Sequence, residues 1–314
     1  MKNYTSISVL SNLEEMIQSA MRLKQNPLQN LELGRDKTMV MLFFNSSLRT
    51  RLSTEKAARQ LGMHVSILNV NEAWQLEFEE GTKMNMNTSE HIKEAARILS
   101  LYADILAVRA FPSLKDKQLD ESEQVLKSFV KYATVPIINM ESATGHPLQA
   151  LADALTITEH KSTKKPKVVL SWAPHSKALP QSVPNSFVEM MQLMEADFSI
   201  THPKGYELNP NITKNTKINY NQDEALEHAD FVYVKNWSSY EPYGKILNKD
   251  ETWMMTKAKL GNAKFMHCLP IRRNVVATDE VIDHENSLII QQADNRTFAT
   301  QAILQEVLNG LTSK

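Results

Sequence analysis

Short runs rich in apolar, β-branched and aromatic residues alternate with stretches of helical spacing along almost the whole chain. This alternation limits the fold more than any other feature. Strands are expected near 38–44, 64–68, 104–108 and 135–139, and helices near 53–61, 91–102 and 121–132. A longer helix at 147–160 carries Leu148, Leu151, Ala152 and Leu155 on one stripe. The polar, proline-containing KSTKKPK at 161–167 interrupts the pattern. The alternation then restarts, with strands near 168–173, 197–201, 231–235, 264–267 and 288–291, helices near 185–194, 223–228 and 251–260, and a closing helix near 296–309. Repeated βα units build parallel sheets covered by helices, so the expectation is an α/β protein of two domains, each a parallel β-sheet flanked by helices. The expected limits are 1–150, closed by the C-terminal helix 296–314, and 151–295.

Composition removes several classes of function. With 314 residues, a net charge of −1, 42% hydrophobic and 23% charged residues, the chain has no overall pull toward nucleic acid or membrane. Its apolar runs fall far short of the roughly 20 residues that span a bilayer, and MKNYTSISVL lacks a signal-peptide core, so a cytoplasmic location is expected. The single cysteine, Cys268, excludes an internal disulfide. Only eight glycines occur, against a usual frequency of ~7%, and neither GxGxxG nor GxxxxGK[ST] is present. Any phosphate must therefore be held without a glycine-rich loop.

In parallel sheets, ligands bind beyond the carboxyl ends of the strands, which directs attention to the strand-to-helix junctions. The first is FFNSSLRTRLSTEKAARQLG, 43–62. A helix N-terminus there offers unpaired N–H groups and a partial positive charge, while Ser47, Arg49 and Thr50 add hydroxyls and a guanidinium, a set that suits a dianionic phosphate. The same residues also read as a helix cap with solvated arginines. In VRAFPS, Arg109 and Phe111 place a cation and an aromatic wall at a strand end, although such an arginine often serves a surface ion pair. In NMESATGHPLQALADAL, Gly145 breaks the chain, Pro147 suits a first helical turn, and His146 and Gln149 share one face. An imidazole there could stabilise a carbonyl oxygen that gains negative charge, or simply cap the helix. In FMHCLPIRRNV, adjacent strand residues point to opposite faces, which argues against His267 and Cys268 as a base–nucleophile pair. Pro270 leaves the Cys268 and Leu269 carbonyls as acceptors. No HExxH, EF-hand or two-metal pattern occurs, so neither metal nor cofactor is expected.

Taken in order, SLRT at 47–50, Arg109, HPLQ at 146–149 and HCLP at 267–270 resemble the aspartate/ornithine carbamoyltransferase superfamily over nearly the entire chain. Leu48 replaces the threonine usual in SxRT, and the DxxxSMG-type loop of ordinary ornithine enzymes is missing. These departures resemble the N-acylornithine branch. The resemblance implies a carbamoyltransferase fold and a cytoplasmic homotrimer with shared active sites. It also implies transfer from carbamoyl phosphate to an N-acyl-L-ornithine in arginine biosynthesis. Carbamoyl phosphate would be held by Ser47, Leu48, Arg49, Thr50, Arg109, His146, Gln149, Cys268, Leu269 and Arg296, with Trp74 contributed by a neighbouring copy. Arg49, Thr50, Arg109 and His146 would be catalytic. The acyl amino acid would meet Glu90, Phe111, Glu141, His175, Lys235, Cys268, Leu269 and Arg272.

The acyl group divides the signals. Where the acetyl branch is expected to carry lysine, Val276 points toward succinyl; where the succinyl branch carries proline, Glu90 points toward acetyl. Ser89 and Glu90 also read as first-turn residues of the helix 91–102, where an acid is welcome. Other readings are an ordinary ornithine carbamoyltransferase, a non-catalytic small-ligand binding protein, an aspartate-specific enzyme lacking an identifiable basic loop, and a kinase lacking its glycine-rich loop and Mg²⁺ carboxylates.

Overall fold

The computed structural model describes residues 1–70 and 74–312. The chain divides into two compact units: Met1–Ser113, Gln118–Leu148 and the chain from Arg296 form the first, and Leu114–Lys117 with Gln149–Asn295 form the second. Each contains a parallel sheet flanked by helices, so the α/β architecture read from the βα alternation is the one observed.

The first unit holds β1 (Thr38–Phe43), β2 (His64–Asn69), β5 (Ile105–Arg109) and β6 (Ile137–Glu141) in the order β2-β1-β5-β6. β3 (Leu76–Glu77) and β4 (Glu90–His91) form a separate parallel pair. β1 bonds to β2 on one side and β5 on the other, so the strand order reverses direction at β1 and opens a crevice at the carboxyl ends of β1 and β5. β5, a central strand, and β6, at the sheet's edge, are both buried along their whole length, and Tyr4 covers the outer edge of β6 through a bridge to Ile138. Phe129 and Leu99 pack beside Leu42, Leu106 and Val108 in the core of this unit. Truncating a fully enclosed ring such as Phe129 to alanine costs about 3–5 kcal/mol.

The second unit carries β7 (Lys167–Trp172), β8 (Asp197–Thr201), β9 (Lys217–Asn219), β10 (Phe231–Lys235) and β11 (Lys264–Met266) in the order β11-β10-β7-β8-β9. Its switch of direction falls at β7, between β8 and β10, with Trp172 and Lys235 paired at the strand ends.

The strand expected at 288–291 does not form: these residues open the helix Ile289–Thr312, which therefore begins before 296. Leu288, Ile289, Gln292, Asn295 and Arg296 are buried while Ile290 is 68% exposed. That is a helical stripe, and a strand would have hidden 288 and 290 together. The helix expected at 121–132 is split by Glu123 into Lys117–Ser122 and Gln124–Tyr132. The helix at 251–260 shrinks to a turn, Glu251–Trp253, and Lys257–Leu260. Glu90 belongs to β4, and the following helix, Ile92–Tyr102, takes His91 as its cap through a bond from Lys93 N, so the first-turn reading of Glu90 does not hold.

Candidate active site

β1 runs five buried residues to Phe43 and hands the chain to the helix Leu48–Gln60 at the crevice of the first unit. Ser47 is the cap, its Oγ accepting from Thr50 N at 3.2 Å. The cap reading of the sequence is thus correct, yet it is compatible with anion binding, because the hydroxyl proton and the first helical N–H groups are not used by that bond. Thr50 is buried, and its Oγ1 accepts from Arg296 Nη2 at 2.7 Å, which leaves the hydroxyl proton to point elsewhere.

Arg109 ends β5 opposite Phe43 on one side and Glu141 on the other, next to a register shift between Val108 and Arg109. Nη1 donates to Asn45 O at 3.0 Å and Ser46 O at 2.9 Å, and Nη2 to Glu141 Oε2 at 3.0 Å. The guanidinium carbon lies 4.1 Å from the centroid of the Phe111 ring, realising the expected cation and aromatic wall. Nε is buried without a hydrogen-bond partner. Burial lowers the affinity of Arg109 for its proton, Glu141 raises it, and the Arg49 charge lowers it again. Glu141 balances the Arg109 charge, and the Arg49 charge, felt at Arg109, is left over, so this corner keeps a positive balance that suits an anion.

His146 is 3% exposed, with Nε2 at 3.5 Å from the same Glu141 oxygen that meets Arg109. Glu141, expected as an acyl-amino-acid ligand, therefore sits between the arginine and the imidazole. Trp74 and Glu90 are placed by the β3–β4 excursion. Trp74 packs partly against the core of its own unit, and Glu90 pairs with Leu76.

In the second unit His175 follows β7 and accepts from Arg272 Nε at 3.0 Å on Nε2. Burial chiefly, with the Arg272, Lys235 and Lys177 charges, pushes its pKa down, whereas the Lys177 carbonyl raises it. Lys235 ends β10 and is buried. β11 stops at Met266, so strand alternation does not govern His267 and Cys268. Instead His267 Nδ1 accepts from Leu269 N at 2.9 Å, while Cys268 interacts with Tyr233. Gln149 donates through Nε2 to Asp153 at 2.7 Å.

Sequence reasoning missed the Asn45 and Ser46 carbonyls and the buried trio Asp153, Tyr233 and Gln292. Asp153 accepts from Gln149 and Gln292, and Gln292 accepts from His267 N. Asp153 stands one helical turn after Gln149, a spacing that could have flagged it. Gln292 lies too far along the chain for any such signal.

Residues 2–159 match the aspartate/ornithine carbamoyltransferase, carbamoyl-P binding domain, and residues 180–307 match its Asp/Orn binding domain. The chain is 46% identical to the N-succinylornithine carbamoyltransferase of Bacteroides thetaiotaomicron, covering 99% of this chain and 100% of the relative. It is 38% identical to the N-acetylornithine carbamoyltransferase of Xanthomonas campestris pv. campestris, with 94% and 93% covered. The crystal structure of an acetylornithine transcarbamylase complexed with acetylcitrulline superposes with a TM-score of 0.91 at 35% identity, covering 98% of this chain and 99% of that one. A glutamate-to-alanine mutant of an N-acetyl-L-ornithine transcarbamylase, complexed with carbamyl phosphate and N-succinyl-L-norvaline, superposes with a TM-score of 0.91 at 36% identity, covering 98% and 100%.

Proposed function

The chain belongs to the aspartate/ornithine carbamoyltransferase family, in its N-acylornithine branch, and from that premise we propose that it carbamoylates the δ-amine of an N-acyl-L-ornithine. The products are an N-acyl-L-citrulline and phosphate, a step of arginine biosynthesis. The observation that carries the reading is Arg109: a buried guanidinium with an unpartnered Nε–H, at the switch point of a sheet, beside Arg49 and the start of a capped helix. A dianion at that corner would pair Arg49 and accept the Nε–H that the Arg109–Glu141 ion pair leaves over.

The chemistry follows from charge. The neutral Nδ lone pair attacks the carbamoyl carbon, and negative charge grows on the carbonyl oxygen, where Thr50, Arg109 and His146 donate. The bond from carbon to the phosphate oxygen then breaks, and the departing phosphate takes the proton lost by nitrogen. No side-chain nucleophile is needed. Orientation of two substrates in register supplies up to about 7–11 kcal/mol in well-aligned systems. Ser47 to Thr50, Arg109, His146, Gln149 and Arg296 hold carbamoyl phosphate, with Trp74 from a neighbouring copy in a homotrimer. Glu141, His175, Lys235, Leu269 and Arg272 face the acyl amino acid. Carbamoyl phosphate turnover against ornithine, acetylornithine, succinylornithine and aspartate tests the assignment, and comparable rates on free and acylated ornithine would overturn it. Free ornithine carries an α-ammonium that wants an acidic partner, whereas an amide wants neutral donors and acceptors.

The acyl group is a succinyl-type framework biased toward acetyl. Similarity is higher to the succinyl relative, and Val276, buried among Val281, Ile282 and Ile289, stands in an apolar site where a lysine ammonium would be left without water. Glu90 works the other way. Its charge and a succinyl carboxylate about 4 Å apart repel by roughly 1 kcal/mol in water and about 4 at an effective dielectric near 20. An N-acetyl-L-ornithine transcarbamylase with one glutamate replaced by alanine holds an N-succinyl amino acid, a precedent for a single glutamate governing the acyl group. Glu90→Pro should shift the ratio of initial rates from acetylornithine toward succinylornithine by about fivefold or more, from relief of one such repulsion. An unchanged ratio would remove Glu90 from the account.

A further inference from the structure

Glu123 interrupts the expected helix with a backbone φ of 54°, a left-handed conformation disfavoured for any residue with a β-carbon. Such a residue persists where its surroundings over-determine it, and here the side-chain bonds all go to one turn. Oε1 accepts from Ser142 Oγ at 2.8 Å, Thr144 N at 2.7 Å and Thr144 Oγ1 at 2.5 Å, and Oε2 accepts from Ala143 N at 3.3 Å. Ser142 Oγ accepts in turn from Asn139 Nδ2 at 3.0 Å, and Ser142 N donates to Gly145 O at 2.8 Å. Turn 142–145 is the whole of the chain between the end of β6 and His146.

We propose that Glu123 is a positioning residue for carbamoyl transfer: its carboxylate locks turn 142–145 and thereby fixes where His146 presents its ring. The proposal rests on the reading of His146 as a donor to the carbamoyl oxygen. A carboxylate suits the task because its bonds are charge-assisted and it gathers four donors at once, which no neutral side chain of that length does. Without it, the amides of 143 and 144 and two hydroxyls would turn toward water, carrying His146 with them. A displacement of about 1 Å at a reacting group is worth up to roughly 100-fold in rate.

Two variants separate positioning from mere support of the fold. Glu123→Gly deletes the carboxylate yet suits the left-handed backbone, so it has little reason to unfold. Glu123→Gln keeps the shape and one acceptor oxygen. Glu123→Gly should lower kcat by about 10- to 100-fold with KM for carbamoyl phosphate within about threefold, and Glu123→Gln should fall between it and the parent. In a His146→Ala background, Glu123→Gly should cost no more than about a further twofold, because residues acting as a unit are not additive. A folded Glu123→Gly with kcat within about twofold of the parent overturns the proposal. A full, independent loss on top of His146→Ala also overturns it, while leaving His146 in its role. Parental turnover by His146→Ala alone sinks the reading of His146, and this proposal with it.

Discussion

At the scale of the residue, His175 shows how a contact settles a protonation state. Its Nδ1 lies 2.9 Å from Lys177 O and 3.1 Å from Lys177 N, two contacts that demand opposite roles. Arg272 decides between them. A guanidinium only donates, so Nε2 must carry the lone pair, Nδ1 must carry the proton, and the carbonyl contact is the bond. The ring is therefore neutral, and burial together with the Arg272, Lys235 and Lys177 charges keeps its pKa below the usual 6.5. The sign of the linkage follows. The unfolded chain takes up a proton first as pH falls, so the contribution of His175 to stability is complete above pH 6.5 and is lost as pH drops below it. A ring-proton titration by NMR should show a midpoint below 6.5, moving upward in Arg272→Gln as one repelling charge is removed. A midpoint at or above 6.5 in the parent would contradict this geometry.

At the scale of the element, the helix Leu48–Gln60 has a start that does two jobs, and they can be measured apart. Ser47→Ala removes the cap bond to Thr50 N and should lower stability by about 1 kcal/mol; Ser47→Gly should lower it by only a few tenths. Both delete the hydroxyl beside the proposed phosphate corner. Urea unfolding should thus rank glycine above alanine, while the two lose carbamoyl phosphate affinity alike; an affinity loss that tracks stability would reduce Ser47 to a cap. This helix start was legible because its cap, its cation and its threonine are contiguous. The same holds for HPLQ, where glycine and proline punctuate the chain, and for strands such as β5 and β10, whose unbroken apolar runs announce burial on both faces. Leu288 to Gln291 misled because four residues of apolar and amide character fit either period, and only the buried Gln292, Asn295 and Arg296 beyond them reveal the helix. Glu123, Gln292 and the pairing of Glu141 with Arg109 and His146 were invisible because each depends on chain segments brought together by the sheet order.

At the scale of the whole molecule, the surface around the first unit's site is oddly apolar for a chain working alone. Leu48 is 67% exposed and Leu52, one turn on, 57% exposed; the helix that bears them packs on β2, an edge strand with Leu68 40% exposed. Edges and leucines of this kind are usually covered. A second copy of the chain, bringing Trp74 to the corner built by Arg49, Thr50 and Arg109, would cover them and complete the site. Complementation between inactive variants tests this arrangement. Trp74→Ala and Arg109→Ala chains should each be nearly inactive alone. In a cyclic trimer with sites at the junctions, every mixed trimer contains one junction where an intact Arg109 meets an intact neighbouring Trp74. Random reassembly at equal amounts makes about three quarters of the trimers mixed, each with about a third of its sites restored, so about a quarter of the parental activity should return. Recovery should vanish if the subunits are mixed without being dissociated first. No recovery after verified exchange of subunits would mean that each chain carries its own Trp74 to its own site, and the shared-site assembly would have to be abandoned.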